Sequence, residues 1–494
     1  MIRLAAPISD GCVLPLGTEL RLRGQTDLEG GARISLLDRD GTPLVTGTGL
    51  AASGLFTGSL AAISGDGSGL TLVIDCAGER TVVRNVALGL VFLAGGQSNM
   101  ELPLCNAGGG AEEVSTHDDP DLRWYMVPKE SRADRAAEAR KQCRWEPMTP
   151  GSSPEMSAVA YFFAKRLREQ TGSPVGIIGC YWGGTSIASW ITEEGLRSCV
   201  AGRKCLAKWQ REARPMTMDE WQEANDRFMA ELNAWNDSVA GCRGEQPGIA
   251  WKDIERLCGP CPWHPPLGPG SPYRPGGLAE TMVGFTNTLP VNGILYYQGE
   301  SDAYMLDSGQ YRELLELLAR EWRRRLDCPD ALFLNVQLPV YEDQPPEGWA
   351  YIRRAQARAR IPDSALVCTV DTGERDNIHP TEKTAVGFRL ADTWLAMRAG
   401  DGRPLPSPRI IASAAVGDTL VLTCSRPLRA PEGGAKHFEL QDEEGVWHPA
   451  AARVDGARIT LTSPGVTPVD YRYAWFNWGR VNVFGTNGVP LMPD

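Results

Sequence analysis

Short apolar runs that alternate with amphipathic helical segments occupy the centre of the chain, from residue 87 to residue 400. The runs are five or six residues long and lie at residues 90–94, 175–180, 293–297, 332–336 and 365–370. Runs that are apolar at nearly every position suit strands that are buried on both faces. The helical segments between them have apolar residues three and four apart. Such an alternation is typical of a mostly parallel sheet with helices on both faces, so we predict an α/β domain.

One of these helices has especially clear sequence boundaries. Ser153 is a suitable N-cap residue, Pro154 fits the first turn, and Gly172 follows the last turn. We therefore predict a helix that begins directly after Ser153 and ends before Gly172.

The two ends of the chain differ from this centre. Short candidate strands fill residues 1–86 and residues 401–494, and we predict a β-sandwich-like module at each end. Residues 401–408 contain three Pro residues and form the predicted linker to the second module. Residues 200–290 are rich in Trp, Pro and Gly, with a helical piece near residues 217–235. We interpret that stretch as an insertion over one face of the sheet.

Charge and composition exclude several classes of function. The 494 residues include 50 Lys and Arg against 61 Asp and Glu, and the net charge of −11 argues against nucleic acid as a partner. The apolar runs are far shorter than the roughly 18 residues that span a bilayer, so we expect no membrane partner. The N-terminus shows no secretory signal, and thirteen scattered Cys residues fit a reducing compartment. We expect a cytoplasmic protein, or a secreted one if a leader has been removed, and make no prediction of oligomeric state.

Polar residues and glycines follow four of the predicted strands. They are Gln97 and Ser98 after the first run, Trp182 and Gly184 after the second, Gln298 and Glu300 after the third, and Asp376 and His379 after the last. In an open parallel sheet, ligands bind at the carboxyl ends of the strands. We therefore expect these side chains to meet at one edge of the sheet, called the rim below.

The rim contains the residue types of a Ser-His-Asp hydrolase. Ser98 follows a Gly pair at a strand end, where a tight turn exposes a nucleophilic hydroxyl. Of the five His residues, only His379 follows a predicted strand of the sheet, and Asp376 lies three residues before it, close enough to orient the ring. The alternatives are a helix-capping Ser and a surface His, and either residue taken alone leaves them open.

An oxyanion hole requires fixed hydrogen-bond donors near the nucleophile. The Ser98 and Gly184 N–H groups and the Gln298 side-chain amide are the candidates. The alternatives are a tight-turn glycine and a buried, fully hydrogen-bonded Gln.

At these residues the sequence resembles the sialate O-acetylesterase family of SGNH-type carbohydrate esterases. Four blocks occur in the family's order: Gly-Gly-Gln-Ser-Asn-Met-Glu at residues 95–101, Trp-Gly-Gly-Thr at 182–185, Tyr-Gln-Gly-Glu-Ser at 297–301, and Asp-Asn-Ile-His-Pro at 376–380. Residues 8–14, 276–278 and 485–491 resemble further family segments, so the similarity extends over most of the chain.

The resemblance implies an SGNH-type hydrolase domain and removal of O-acetyl groups from carbohydrate. Ser98 would be the nucleophile, His379 the base and Asp376 its partner, with Ser98, Gly184 and Gln298 as the oxyanion hole and an acetyl-enzyme intermediate. No metal or organic cofactor is implied. The leading substrate is O-acetylated sialic acid, and acetylated xylan is the alternative. The candidate substrate-binding residues are Gln97, Trp182, Glu300 and Arg353, of which Arg353 would suit a sialate carboxylate.

Three other hypotheses remain open from the sequence. The Cys258 to Cys261 motif fits free thiols, a disulfide, or a zinc clip with Cys242 and His264. Glu300 and Asp302 form a carboxylate pair of the kind that glycoside hydrolases use. A non-catalytic carbohydrate-binding protein is the reading outside enzymes.

Overall fold

Eight β-strands form in the first 96 residues, and the last of them continues into the central sheet. The structure is a computed structural model that describes residues 1–246, 249, 251–263, 265–285, 289–304, 308–342 and 347–494. The eight strands are β1 (Arg3–Leu4), β2 (Val13–Pro15), β3 (Leu20–Gln25), β4 (Gly30–Leu37), β5 (Pro43–Ala52), β6 (Leu55–Leu60), β7 (Gly67–Cys76) and β8 (Glu79–Gly96). The first part of β8 pairs antiparallel with β7, and its second part pairs parallel with later strands. The N-terminal module and the central sheet therefore share one strand across the predicted boundary between residues 86 and 87.

The central sheet is mostly parallel, as the apolar runs predict. Its further strands are β9 (Asp119–Met126), β10 (Trp145–Met148), β11 (Val175–Tyr181), β12 (Gly293–Tyr297), β13 (Leu332–Val336) and β14 (Ser364–Val367). The spatial order is β10-β9-β11-β8-β12-β13-β14, with β10 alone antiparallel to its neighbour among these described strands. Every residue of β11 and β12 is buried, because helices lie on both faces of the sheet. The predicted α/β class is confirmed.

Twelve α-helices occur in the described residues. They are α1 (Ser98–Glu101), α2 (Gly110–Thr116), α3 (Ala133–Ala139), α4 (Ala158–Thr171), α5 (Glu193–Ser198), α6 (Val200–Glu212), α7 (Met218–Glu245), α8 (Trp251–Cys258), α9 (Gly277–Thr281), α10 (Ser308–Arg325), α11 (Gly348–Arg358) and α12 (Thr384–Ala399). Phe92 of β8 contacts Phe163 of α4 and Trp394 of α12 on one face of the sheet. A Cβ on Gly95 would meet the Trp322 ring of α10 on the other face. Both faces of β8 are therefore covered by helices.

Helix α4 begins later than its sequence signals predict. Ser157 is the N-cap residue, and its hydroxyl accepts a hydrogen bond from the Ala160 N–H. Ser153, the predicted cap, instead has a positive φ of 57° and its hydroxyl accepts from the Trp124 indole. The helix therefore starts at a second Ser, about one turn further along the chain than the predicted cap.

The insertion is built from α6, α7, α8 and the loop that follows them. Helix α7 starts with a capping box between Thr217 and Glu220 and extends ten residues beyond the predicted helical piece, to Glu245. The Trp221 indole of α7 is buried and donates to the Pro266 carbonyl, 3.0 Å away. The loop is thereby attached to the long helix.

The C-terminal module has a core of its own. Its strands are β15 (Ile410–Val416), β16 (Thr419–Cys424), β17 (Leu428–Arg429), β18 (Phe438–Gln441), β19 (Trp447–Pro449), β20 (Ala451–Asp455), β21 (Arg458–Thr462), β22 (Asp470–Tyr473) and β23 (Phe484–Gly485). Leu422, Leu440, Ile459 and Leu461 are fully buried in this core. Among the described residues, no helix is both long enough and apolar enough to cross a membrane.

Candidate active site

The nucleophile candidate Ser98 lies at the turn between β8 and α1. Gly96, two residues earlier, has a φ of +133°, and a Cβ there would lie 2.0 Å from the Tyr297 carbonyl oxygen. Only glycine therefore fits this turn. The Gln97 N–H donates to the same Tyr297 carbonyl at 3.1 Å, which joins the Ser98 turn to the end of β12. Ser98 is half-buried and lines a large cavity.

The base candidate His379 lies on the loop between β14 and α12 and lines the same cavity. Its backbone N–H donates to the Asn377 side chain at 3.0 Å, and Asn377 in turn donates to Glu374 at 2.9 Å. Burial, with the nearby Lys383 charge, lowers the pKa of His379 to about 4. The ring is thus neutral at pH 7 and can accept a proton.

Asp376 is on this loop too, but its side chain is exposed. Among the described contacts of Asp376 and His379, none is a hydrogen bond or ion pair between the two side chains. The described charge that acts on the ring is Lys383. The structure therefore brings Ser98 and His379 to one cavity without joining Asp376 to the ring.

The Trp182 to Thr185 segment, after β11, runs beside the nucleophile. A Cβ on Gly183 would lie 3.3 Å from the Ser98 Cβ, and the Gly183 N–H donates to Glu101 at 2.6 Å. The Gly184 N–H has no acceptor among the described hydrogen bonds, and Gly184 has a φ of +74°. This N–H is available to a ligand in the cavity.

The Gln298 amide is fully buried in a network of its own. Its Nε2 group donates to Gln97 Oε1, to the Thr185 carbonyl and to Asp302 Oδ2, at 3.1, 3.2 and 2.6 Å. Its Oε1 accepts from the Tyr311 hydroxyl. Gln298 therefore ties three strand-end loops together beneath the rim, and it is Gln97 that reaches the cavity.

Two of the predicted substrate-binding residues differ in their surroundings from what the sequence indicated. Glu300 lines the cavity but is buried, accepts from Asn99 at 2.6 Å, and has its pKa raised by burial. Arg353 lies in α11, away from the cavity lining, and its buried guanidinium donates to the carbonyls of Pro339, Ala474 and Phe476. Because two of these carbonyls belong to the C-terminal module, Arg353 attaches that module to the central α/β domain.

The cavity has a volume of about 1300 Å³ and has two unlike walls. One wall is the rim, with Ser98, Trp182, Gly184 and His379. The other belongs to the insertion and the segments beside it. Its aromatic residues are Trp209, Phe228, Trp263, Tyr273 and Tyr304, and its cations are Lys204, Lys208 and Arg211. A space of this size can hold a ligand of several rings.

The sequence did not identify the residues of the insertion that line the cavity, or two buried residues behind the rim, Asn99 and Lys383. Asn99 stands inside the first family block, so its place beside Ser98 was a usable signal. Lys383 and the insertion aromatics gave no signal, because nothing in the sequence states which helix faces the cavity.

No cluster of three or more His, Cys, Asp or Glu in the described residues is arranged to hold a metal ion. Cys242 Sγ lies 3.4 Å from Cys258 Sγ, which is longer than a disulfide bond. His264, part of the zinc-clip reading, lies outside the described residues.

Comparisons relate the chain to known proteins. The family model described as "Carbohydrate esterase, sialic acid-specific acetylesterase" matches residues 89–230 and 278–396, which is more than half of the chain. Sialate O-acetylesterases from Mus musculus and Homo sapiens are 24% and 22% identical to it, over 80% of this chain and 74% and 72% of theirs. The crystal structure of a carbohydrate acetylesterase from Xanthomonas citri matches 100% of this chain and 99% of its own, with 26% identity and a TM-score of 0.76. These similarities favour an esterase over a glycoside hydrolase or a non-catalytic sugar-binding protein.

Proposed function

We propose a mechanism and a substrate for this chain, which belongs to the sialic acid-specific acetylesterase family of carbohydrate esterases and removes O-acetyl groups from carbohydrate. As a carboxylic ester hydrolase it converts an acetylated sugar and water into the free sugar alcohol and acetate. The proposal concerns which residues perform this reaction and which sugar is used.

In the proposed mechanism, Ser98 Oγ attacks the acetyl carbonyl carbon while His379 takes the hydroxyl proton. The sugar alcohol leaves with that proton, and water then attacks the acetyl-enzyme with His379 again as base, releasing acetate. The observation that supports this assignment is that Ser98 and His379 line one cavity and that His379 is neutral at pH 7.

The proposed oxyanion hole consists of the Ser98 and Gly184 N–H groups. Neither has an acceptor among the described hydrogen bonds, and Gly183 brings this segment against Ser98. Gln298, whose Nε2 group is already hydrogen-bonded, supports the hole by fixing Gln97 and the Thr185 carbonyl. Asp376 is proposed as the orienting partner, because catalytic hydrogen bonds are often loose without substrate and tighten in the substrate complex.

O-acetylated sialic acid is the proposed substrate. Two relatives are sialate O-acetylesterases, and Lys204 and Arg211 put positive charge on the insertion wall, where a sugar carboxylate would be attracted. The aromatic residues of the same wall also suit a neutral sugar, so acetylated xylan is the alternative.

Acetate release from O-acetylated sialic acid and from acetylated xylan tests both parts of the proposal. Ser98→Ala should lower turnover by at least about 10⁴-fold on whichever substrate is used. Ser115→Ala, which removes an exposed hydroxyl on α2, is the matched control and should leave turnover unchanged. Turnover by Ser98→Ala near the wild-type rate would reject the nucleophile, whereas release from xylan alone would keep the mechanism and change the substrate.

A further inference from the structure

A fully buried amide lies directly behind the nucleophile. Asn99 follows Ser98 in α1 and has no solvent exposure. Its Nδ2 group donates to Glu300 Oε1 at 2.6 Å and to the Ile378 carbonyl at 2.9 Å, and its Oδ1 accepts from Lys383 Nζ at 2.7 Å. Ile378 immediately precedes His379, so one side chain connects the Ser98 turn to the loop of the base.

The Ile378 carbonyl fixes the orientation of this amide. A backbone carbonyl can only accept, so the amide nitrogen must face Ile378, and the amide oxygen then faces Lys383. Asp has the same shape but lacks both donors, and Leu lacks donors and acceptor.

The charge of Lys383 also affects the pKa of His379. Burial lowers the pKa of Lys383 to about 7, although Glu300, Glu374 and Glu382 act in the opposite direction. Lys383 Nζ also lies 5.5 Å from the centre of the Tyr297 ring. Its positive charge is the described charge that acts on His379.

We propose that Asn99 is a positioning residue that holds the His379 loop against the Ser98 turn, with Lys383 and Glu300 fixing its amide. The proposal rests on the proposed roles of Ser98 and His379. Asn99 does not line the cavity. It therefore acts on the distance between Ser98 and His379 rather than on sugar binding. A misplacement of about 1 Å between reacting groups can cost on the order of 100-fold in rate.

The test compares Asn99→Asp and Asn99→Leu with the wild type in steady-state kinetics. Both variants should lower kcat by about 10- to 100-fold with KM changed less than about threefold, since only the catalytic geometry is altered. In Asn99→Asp the new negative charge should also move the acidic limb of kcat/KM to higher pH, because an anion raises the pKa of His379; Asn99→Leu should not move it upward in this way. The matched control is Asn106→Asp, which places the same change on an exposed residue.

Each outcome decides the question. Activity in Ser98→Ala or His379→Ala would remove the proposed function itself. With both of those inactive, a folded Asn99→Asp that keeps kcat within about twofold and an unmoved acidic limb would overturn the positioning role alone. If Asn99→Asp does not fold, Lys383→Met takes its place. Loss of the Lys383 charge should lower kcat and move the acidic limb to higher pH, and an unchanged profile would overturn the proposal.

Discussion

The two walls of the cavity are built on very different supports. The rim follows β8, β11, β12 and β14, and in β11 and β12 every residue is buried. In α7 of the insertion, 28 residues long, only Trp221 and Val239 are buried. A segment with few buried contacts opens locally at a lower free energy than a core strand. Under the proposed mechanism the reaction takes place on the rigid wall, and we expect the more weakly supported wall to influence the choice of sugar.

The family comparison cuts through the insertion wall, because Trp209, Arg211 and Phe228 fall inside the matched residues whereas Trp263 and Tyr273 fall outside them. The matched residues include the rim blocks and stop at residue 230, inside α7, before resuming at residue 278. The unmatched part contains the rest of α7, α8 and Trp263, which overhangs Gly184. Under the proposed mechanism, we expect changes on the rim to act mainly on kcat and changes on the insertion wall to act mainly on KM.

The largest effect after loss of the nucleophile is expected from Asp376→Asn. If the carboxylate reaches the His379 ring in the substrate complex, kcat should fall by about 10²- to 10⁴-fold, because the ring loses the group that fixes its tautomer. Asp401→Asn, at an exposed Asp in the linker, is the control. A fall of less than about threefold would leave Ser98 and His379 acting as a pair, as the substrate-free geometry has them.

The acidic limb of the pH profile of kcat/KM reports the protonation of His379. His379 accepts a proton only while neutral, and a pKa of about 4 keeps the ring neutral over most of the acidic range. We expect kcat/KM to be level from about pH 7 to about 5 and then to fall about tenfold per pH unit below about pH 4. Circular dichroism at each pH separates this fall from unfolding. A limb near the ordinary histidine pKa would indicate that a carboxylate such as Asp376 offsets the burial.

Most of the rim was predictable from the sequence because the blocks with Ser98, Gly184 and Gln298 directly follow strands, whereas Asp376 and His379 lie on a longer loop after β14. A buried strand has a recognisable apolar run, and parallel strands end at one edge, so Ser98, Gly184 and His379 needed no long-range contact to be placed. Gln298 was predicted only as a residue at the end of its strand, because the hydrogen bonds that hold its side chain beneath the rim depend on Tyr311 of α10 and Asp302, whose positions no local pattern gives.

For residues 200–290, the sequence predicted an insertion but not which of its residues line the cavity. Helix α7 follows from helical spacing and its capping box, yet which residues face the cavity depends on how a helix with little burial docks on the domain. Arg353 illustrates the same limit, since its packing against the C-terminal module depends on carbonyls far along the chain. The boundary between the N-terminal module and the central domain has no turn or linker to mark it in the sequence, because β8 continues from one into the other.

On the insertion wall, Trp263→Ala should raise KM by about fivefold with kcat nearly unchanged, because an aromatic contact contributes about 1 kcal/mol to sugar binding. Leu257→Ala, at an exposed apolar residue of α8 that does not line the cavity, is the control. The Trp263 ring also lies over Gly184. A fall in kcat with constant KM would show that this residue shapes the oxyanion hole, and the division between the walls would then be wrong at this point.

The smallest expected effect distinguishes the substrates. Arg211→Gln should raise KM for O-acetylated sialic acid by about two- to threefold at low salt, because an exposed ion pair contributes less than about 1 kcal/mol. The difference should shrink as salt is added and should be absent with acetylated xylan, which has no charge for Arg211 to attract. Arg214→Gln, at an exposed residue just beyond α6 that does not line the cavity, removes the same charge as a control. Equal effects of the two variants would mean that the insertion acts through its overall charge, and the cavity cations would then have no part in selecting the sugar.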